Sequence, residues 1–177
     1  MPEKMKIEDA ILQYLDIDMQ ATALNFVAYM CENKMSLRRT TSTDWTASYK
    51  TKTICWIRLK GAQFRRLQAK WEVRPNLINI DTYDNEIIDE NMQNYIWDGL
   101  TYCGPCINSK GQMRQCSPGI NKILLNKDIG GICAGFFSNN RKPIGFHNPD
   151  EKAINIIKRL FELEKQVRNE LAILAKK

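Results

Sequence analysis

TASYKTKTICWIRLKG, residues 46–61, alternates in the way an extended chain does. Thr53, Cys55, Ile57 and Leu59 fall on one side, with Ile54, Trp56 and Arg58 on the other. That is the period of two of a strand, carrying the β-branched and aromatic residues that pleated surfaces favour. The stretch YKTKT (49–53) reads as the turn of a hairpin, although it lacks the Asn-Gly pair that would fix the register. Downstream, KWEVRPNLINIDTY (70–83) predicts a strand around 69–74, stopped by Pro75, and another around 77–83. No helical crossover fits between these strands, so an antiparallel meander is expected.

Helices flank this block. Ile7, Ile11, Leu12 and Leu15 are helically spaced; Asp18 is then placed as N-cap of a second helix. Its stripe is Leu24, Val27, Ala28 and Cys31, flanked by Phe26 and Met30, a width that suits packing on a sheet and puts Cys31 in the core. DNEIIDENMQNYIWDG (84–99) predicts a third helix through Ile88, Met92, Tyr95 and Ile96, capped by Asp84 or Asn85. The longest begins at HNPDE (147–151), with Asn148 as N-cap, Pro149 at the first helical position and Glu151 at the capping-box position. Ile154, Ile157, Phe161, Val167, Leu171 and Leu174 carry its apolar stripe. GICAGFF (131–137) reads as a buried strand, with another short one around 143–147. The expected fold is a single α+β domain over 1–177: an antiparallel meander packed by N-terminal helices and a long C-terminal helix, with a Cys/Gly-rich loop at 99–131.

At 177 residues the chain is long enough for a real core. No apolar run approaches a membrane span, and MPEKMKIEDA lacks a signal-peptide pattern, so cytoplasmic placement is expected. Thiols stay reduced there, and six cysteines invite metal or redox chemistry before disulfides. The net charge of +6 is uneven: residues 34–74 hold eleven Lys/Arg against Asp44 and Glu72, whereas 75–102 hold six acids and no Lys or Arg. A polyanion partner is one implication. Hairpin faces solvated and paired in part with the acidic segment are the other.

Cys103, Cys106, Cys116 and Cys133 are spaced C-x2-C-x9-C-x16-C. The first pair can reach one tetrahedral ion from a tight turn, which makes zinc the candidate cofactor. His147, the sole histidine, is an alternative ligand, or simply a residue at a helix start. Cys103-Gly-Pro-Cys106 is also the tetrapeptide of thioredoxin-like oxidoreductases, but no strand precedes it and no helix follows. Buried cysteines beside a Pro118-Gly119 turn compete with both readings. Cys55, on the apolar side of its strand, is packing.

STDWTASYKTKTICWIRLKG (42–61), CSPG (116–119) and FHNPDEKAINIIKRLFELEK (146–165) together resemble an uncharacterised family of small bacterial, Firmicutes-type proteins. The element order is similar to YjbR-like α+β domains, with Trp45, Tyr49 and Trp56 at signature positions; the cysteine-rich insertion departs from that type. The resemblance implies a fold and no activity.

One histidine, no Ser/His/Asp set and no phosphate-binding glycine loop point to a binding or interaction module rather than an enzyme. Trp45, Tyr49, Trp56 and Trp71 could line a concave sheet and bind an apolar or planar small ligand; aromatic core is the other reading. A nucleic-acid binder would use Arg38, Arg39, Lys50, Lys52, Arg58, Arg65 and Arg66 for phosphates, with Trp56 or Tyr49 stacking on bases. A thiol oxidoreductase would use Cys103 and Cys106.

Overall fold

A computed structural model describes residues 5–59, 69–77, 88–98, 120–124, 127–132 and 144–175. In chain order its elements are α1 (Ile7–Tyr14), α2 (Ile17–Glu32), β1 (Ser36–Arg39), β2 (Asp44–Tyr49), β3 (Lys52–Leu59), β4 (Trp71–Pro75), α3 (Glu90–Asp98), β5 (Ile120–Leu124), β6 (Lys127–Ile132), β7 (Phe146–His147) and α4 (Glu151–Leu174). Five strands form one antiparallel sheet in the order β1-β2-β3-β4-β7, and β5 pairs with β6 in a separate hairpin. The fold is α+β, as the alternation in 46–61 implied. The β5–β6 hairpin enters the stretch read as loop, and residues 133–137 of the strand expected at 131–137 lie outside the described residues.

Cross-strand partners share a face of the sheet. The ladders Leu37–Ala47–Cys55–Pro75 and Arg39–Trp45–Ile57–Val73–Phe146 run along one side. From Trp45 onward their apolar members are buried with α1, α2, α3 and α4 in one core. Alternation fails at one point. Ala47 opposes Cys55 but Ser48 opposes Thr53, so Ile54 is an extra residue on β3. This bulge buries Ile54 beside Cys55 instead of leaving it with Trp56, and the Ile54 carbonyl accepts the Asn76 N–H at 2.7 Å.

The β2–β3 turn is the two residues Lys50 and Thr51, with φ of 47° and 67°. Both are left-handed, the geometry a tight hairpin requires, but a β-branched residue pays sterically for it. Replacing Lys50-Thr51 by Asn-Gly should therefore stabilise the protein by about 1–2 kcal/mol. A denaturant midpoint that does not rise, at unchanged m-value, would count against this.

Three helix ends differ from the sequence reading. α2 is entered through Asp16, whose carbonyl accepts from Met19 and Gln20, and Asp18 lies inside the helix. Its buried face is Ala23, Phe26, Val27 and Met30; Ala28 and Cys31 are exposed. The helix is turned toward its larger side chains, because Phe26 and Met30 remove more apolar area from water than Leu24 and Cys31. α3 starts at Glu90, and Asp89 accepts from the Met92 N–H at 2.7 Å; Asp84 and Asn85 lie outside the described residues.

The cap of α4 is Asp150, whose carboxylate accepts from the Ala153 N–H at 2.8 Å. Asn148 has another task. At φ 44° its Oδ1 accepts from the backbone N–H groups of Lys70 at 2.6 Å and Trp71 at 3.1 Å, and its own N–H donates to the Trp71 carbonyl at 2.9 Å. It ties the entry of α4 to the start of β4. Asn148→Ala should cost about 2–3 kcal/mol, through two lost hydrogen bonds and a Cβ in left-handed backbone. Asp150→Ala should cost about 1 kcal/mol. Equal losses in the two variants, measured by chemical denaturation, would contradict the assignment.

On α4, Ile154, Ile157 and Phe161 are buried as expected, but Leu171 and Leu174 are 50% and 64% exposed. The helix runs past the edge of the core. Near its middle it is held twice. Glu162 accepts from the Tyr29 hydroxyl of α2 and from the Lys165 ammonium. Burial and this carboxylate push the Tyr29 hydroxyl pKa up; against burial, the Tyr29 and Lys165 hydrogen bonds hold the Glu162 carboxyl low. The buried pair Arg168–Glu164, 2.8 Å apart, then anchors α4 to the carbonyls of Lys52, Thr53 and Asn76.

Candidate functional site

The opposite face of the sheet is polar, and it is built by two neighbouring ladders. One runs Asp44–Arg58–Glu72–His147 across four strands, and the other Arg38–Thr46–Trp56–Arg74. Period-two patterning places them there: with Trp71 and Val73 turned into the core, Glu72 and Arg74 must emerge beside Arg58 and Trp56.

Glu72 is the centre of this face. Its carboxylate is 1% exposed, whereas Asp44, Arg58, Arg74 and His147 remain 25%, 29%, 28% and 23% exposed. Arg74 Nε donates to Glu72 Oε1 at 2.6 Å, and His147 Nδ1 lies 3.7 Å from the same oxygen. Arg58 Nε donates to Asp44 Oδ1 at 2.9 Å while its Nη1 stands 4.0 Å from Glu72 Oε2. At that separation Oε2 accepts no hydrogen bond. A buried carboxylate costs several kcal/mol in lost hydration, and such atoms are almost always paired. The open oxygen is therefore the most unusual feature of the face.

Burial holds the His147 imidazole below its usual pKa; Glu72 pulls it up and Arg74 pushes it down. Near neutral pH the ring is uncharged and presents one donor and one acceptor nitrogen. At this end the first ladder opens into a cavity of about 330 Å³, whose walls include Tyr95, Phe146, His147 and Asp150.

The four aromatic candidates do not share a surface. Trp45 and Trp71 are 2% exposed and belong to the helix-side core, which corrects the expectation of a concave aromatic lining. Tyr49 is half-buried at the hairpin end, its ring under the Lys50 and Lys165 ammonium groups at 5.5 and 5.3 Å. Trp56 alone lies on the polar face. The basic set divides as well. Arg38 and Arg58 share Trp56's side, but Arg39 turns to the other, 5.7 Å from the Trp45 ring, and donates to the carbonyls of Thr41 and Ser42. Lys50, at the turn, donates to Asn169 Oδ1 at 2.8 Å, and Lys52 follows at the start of β3. Arg65 and Arg66 lie outside the described residues.

Cys103, Cys106, Cys116 and Cys133 also lie outside the described residues. Among the described residues no three metal-ligating side chains converge. Cys55 is fully buried, and burial pushes its thiol pKa up, consistent with packing.

Glu72 and Arg74 were absent from the sequence-based candidates. Their signal was available: WEVR repeats the alternation of ICWIR on the neighbouring strand, and an acid flanked by Trp71 and Val73 on a half-buried strand needs a cationic partner.

Among the described residues no helix is long and apolar enough to cross a membrane. The chain matches no protein-family model, no curated protein and no solved structure.

Proposed function

We propose that this chain is a cytosolic binding module that acts without covalent chemistry, through the polar face of its five-stranded sheet. The observation that carries the reading is the buried Glu72 carboxylate, one oxygen held by Arg74 and the other accepting no hydrogen bond, within a face of part-exposed Arg58, Arg74 and His147. A ligand that supplies a donor near Oε2 recovers the one hydrogen bond that the buried Glu72 carboxylate lacks alone.

The sole histidine makes a direct test. The His147 ring resonances should shift when a ligand occupies the face, and should shift less in Glu72→Gln. A screen of anionic, zwitterionic and neutral metabolite pools that leaves His147 unmoved would defeat the proposal.

A zinc ion at Cys103, Cys106, Cys116 and Cys133 remains part of our proposal, supported by their spacing alone. The Gly-rich segment loses much chain entropy on ordering, and a four-thiolate site would offset it locally. Elemental analysis of protein purified without chelator should then return about one zinc per chain; well below that, the Cys-Gly-Pro-Cys motif is a turn.

A further inference from the structure

We infer that the C-terminal end of α4 is a self-association surface, on which the same turns of a second copy of this chain pack antiparallel across a twofold axis.

The surface begins where the core ends. Leu160, Glu164, Val167, Leu171 and Leu174 are spaced alternately four and three apart, the d, a, d, a, d line of a heptad seam. Leu160 and Glu164 are buried, Val167 is half-buried, and Leu171 and Leu174 are 50% and 64% exposed. The seam therefore runs on after the protein has stopped filling it. Every residue from Glu170 to Ala175 is exposed, and LAILA (171–175) is wholly apolar. A solvated helix face ordinarily carries polar residues, and a helix end without tertiary contacts is marginal in water. This one is held at its base. Arg168 binds the carbonyls of Lys52, Thr53 and Asn76, and Asn169 Oδ1 accepts from the Lys50 ammonium at 2.8 Å. The leucines are thus presented just beyond a fixed turn of helix.

Charge selects the occupant and its direction. Beside the seam Glu170 stands at a g position, and Lys177, outside the described residues, is the next g in sequence. Antiparallel helices bring g against g, so each Glu170 meets the Lys177 of the other copy, twice over by symmetry. A parallel pair would set Glu170 against Ala175 at e and gain nothing. With Leu171 opposite Leu174 at the centre, one patch is complementary to itself, the condition for a closed dimer. Such turns from two copies remove on the order of 1,000 Å² from water, the small end of specific interfaces. The dimer is therefore reversible, with a Kd of about 10–100 µM.

Ile173 supplies an internal control. It is 60% exposed and as apolar as its neighbours, but at position c it faces away from the seam. Sedimentation equilibrium on the full chain, from about 1 to 300 µM, should show a monomer–dimer equilibrium. Leu174→Glu should raise its Kd about tenfold or more, whereas Ile173→Glu should leave it within about twofold. Lys177→Glu should raise it about fivefold, and Glu170→Lys combined with Lys177→Glu should restore it. A monomer throughout the range would overturn the inference. Equal effects of the two single glutamate substitutions, at positions 173 and 174, would do the same, since they would mean unspecific apolar association. A dimer lost in Leu174→Glu but indifferent to both charge variants would overturn the antiparallel pairing.

Discussion

Arg168→Ala should lower stability by about 3–5 kcal/mol, the scale for breaking a buried ion pair from one side. Glu164 is fully buried and Arg168 only 7% exposed, so neither charge recovers much hydration when the other is removed. The guanidinium also donates from Nη1 to the Thr53 carbonyl at 3.1 Å and from Nη2 to the Asn76 carbonyl at 3.0 Å. One side chain thus closes the ends of β3 and β4 and fastens both to α4. Replacing both partners by apolar residues, as in Glu164→Leu with Arg168→Met, should recover a large part of the loss, because the cost lies in stranding the carboxylate. Urea denaturation measures both variants. A loss below about 1 kcal/mol for Arg168→Ala would give the pair the worth of a surface contact.

Phe161→Ala should cost a similar 3–5 kcal/mol, by a different route. Phe161 is fully buried and its ring centroid lies 6.0 Å from that of Phe26, inclined at 35°. Truncation removes the transfer free energy of the ring and leaves a cavity between α2 and α4, which the sheet beneath keeps from collapsing. A double-mutant cycle with Phe26→Leu and Phe161→Leu should return a coupling of about 0.5–1.5 kcal/mol for the ring pair. Independent, additive losses would mean that the two rings pack against other neighbours instead of each other.

The strands and the long helix were legible because burial imposes periodicity, and periodicity survives in sequence. Cys55, Ile57 and Leu59 on β3 and Ile154, Ile157 and Phe161 on α4 are on the expected sides. Features set by one hydrogen bond or one dihedral were not legible. Asn148 and Asp150 are both good caps by residue type, and only the position of the β4 backbone decides that Asn148 staples and Asp150 caps. Ile54 looks like an ordinary alternating residue until the bulge turns it inward. The face of α2 was misjudged by one position, about 100° of rotation, because Leu24, Val27, Ala28 and Cys31 are as helically spaced as Ala23, Phe26, Val27 and Met30.

The candidate site was half visible. Arg58 and Trp56 could be picked from composition, whereas Glu72 had to be read from the alternation of WEVR, where an acid falls between the inward-facing Trp71 and Val73. What makes it central is that Arg58, Arg74 and His147 come from three strands whose pairing is a tertiary fact. The long reach of α4 past the core was hidden for the same reason: Leu171 and Leu174 keep the stripe's spacing, and nothing local says where the sheet stops.

The extra residue at Ile54 also divides β3 into two stretches of opposite phase, with Lys52 and Thr53 on one side of it and Cys55 to Leu59 on the other. Such a seam works like an expansion joint. Slippage or remodelling at the Lys50–Thr51 tip is taken up at the bulge before it reaches the ladder that sets Arg58 opposite Glu72. A change at the tip that keeps the left-handed backbone of Lys50 and Thr51 thereby leaves the polar face, two turns of the pleat away, in its register.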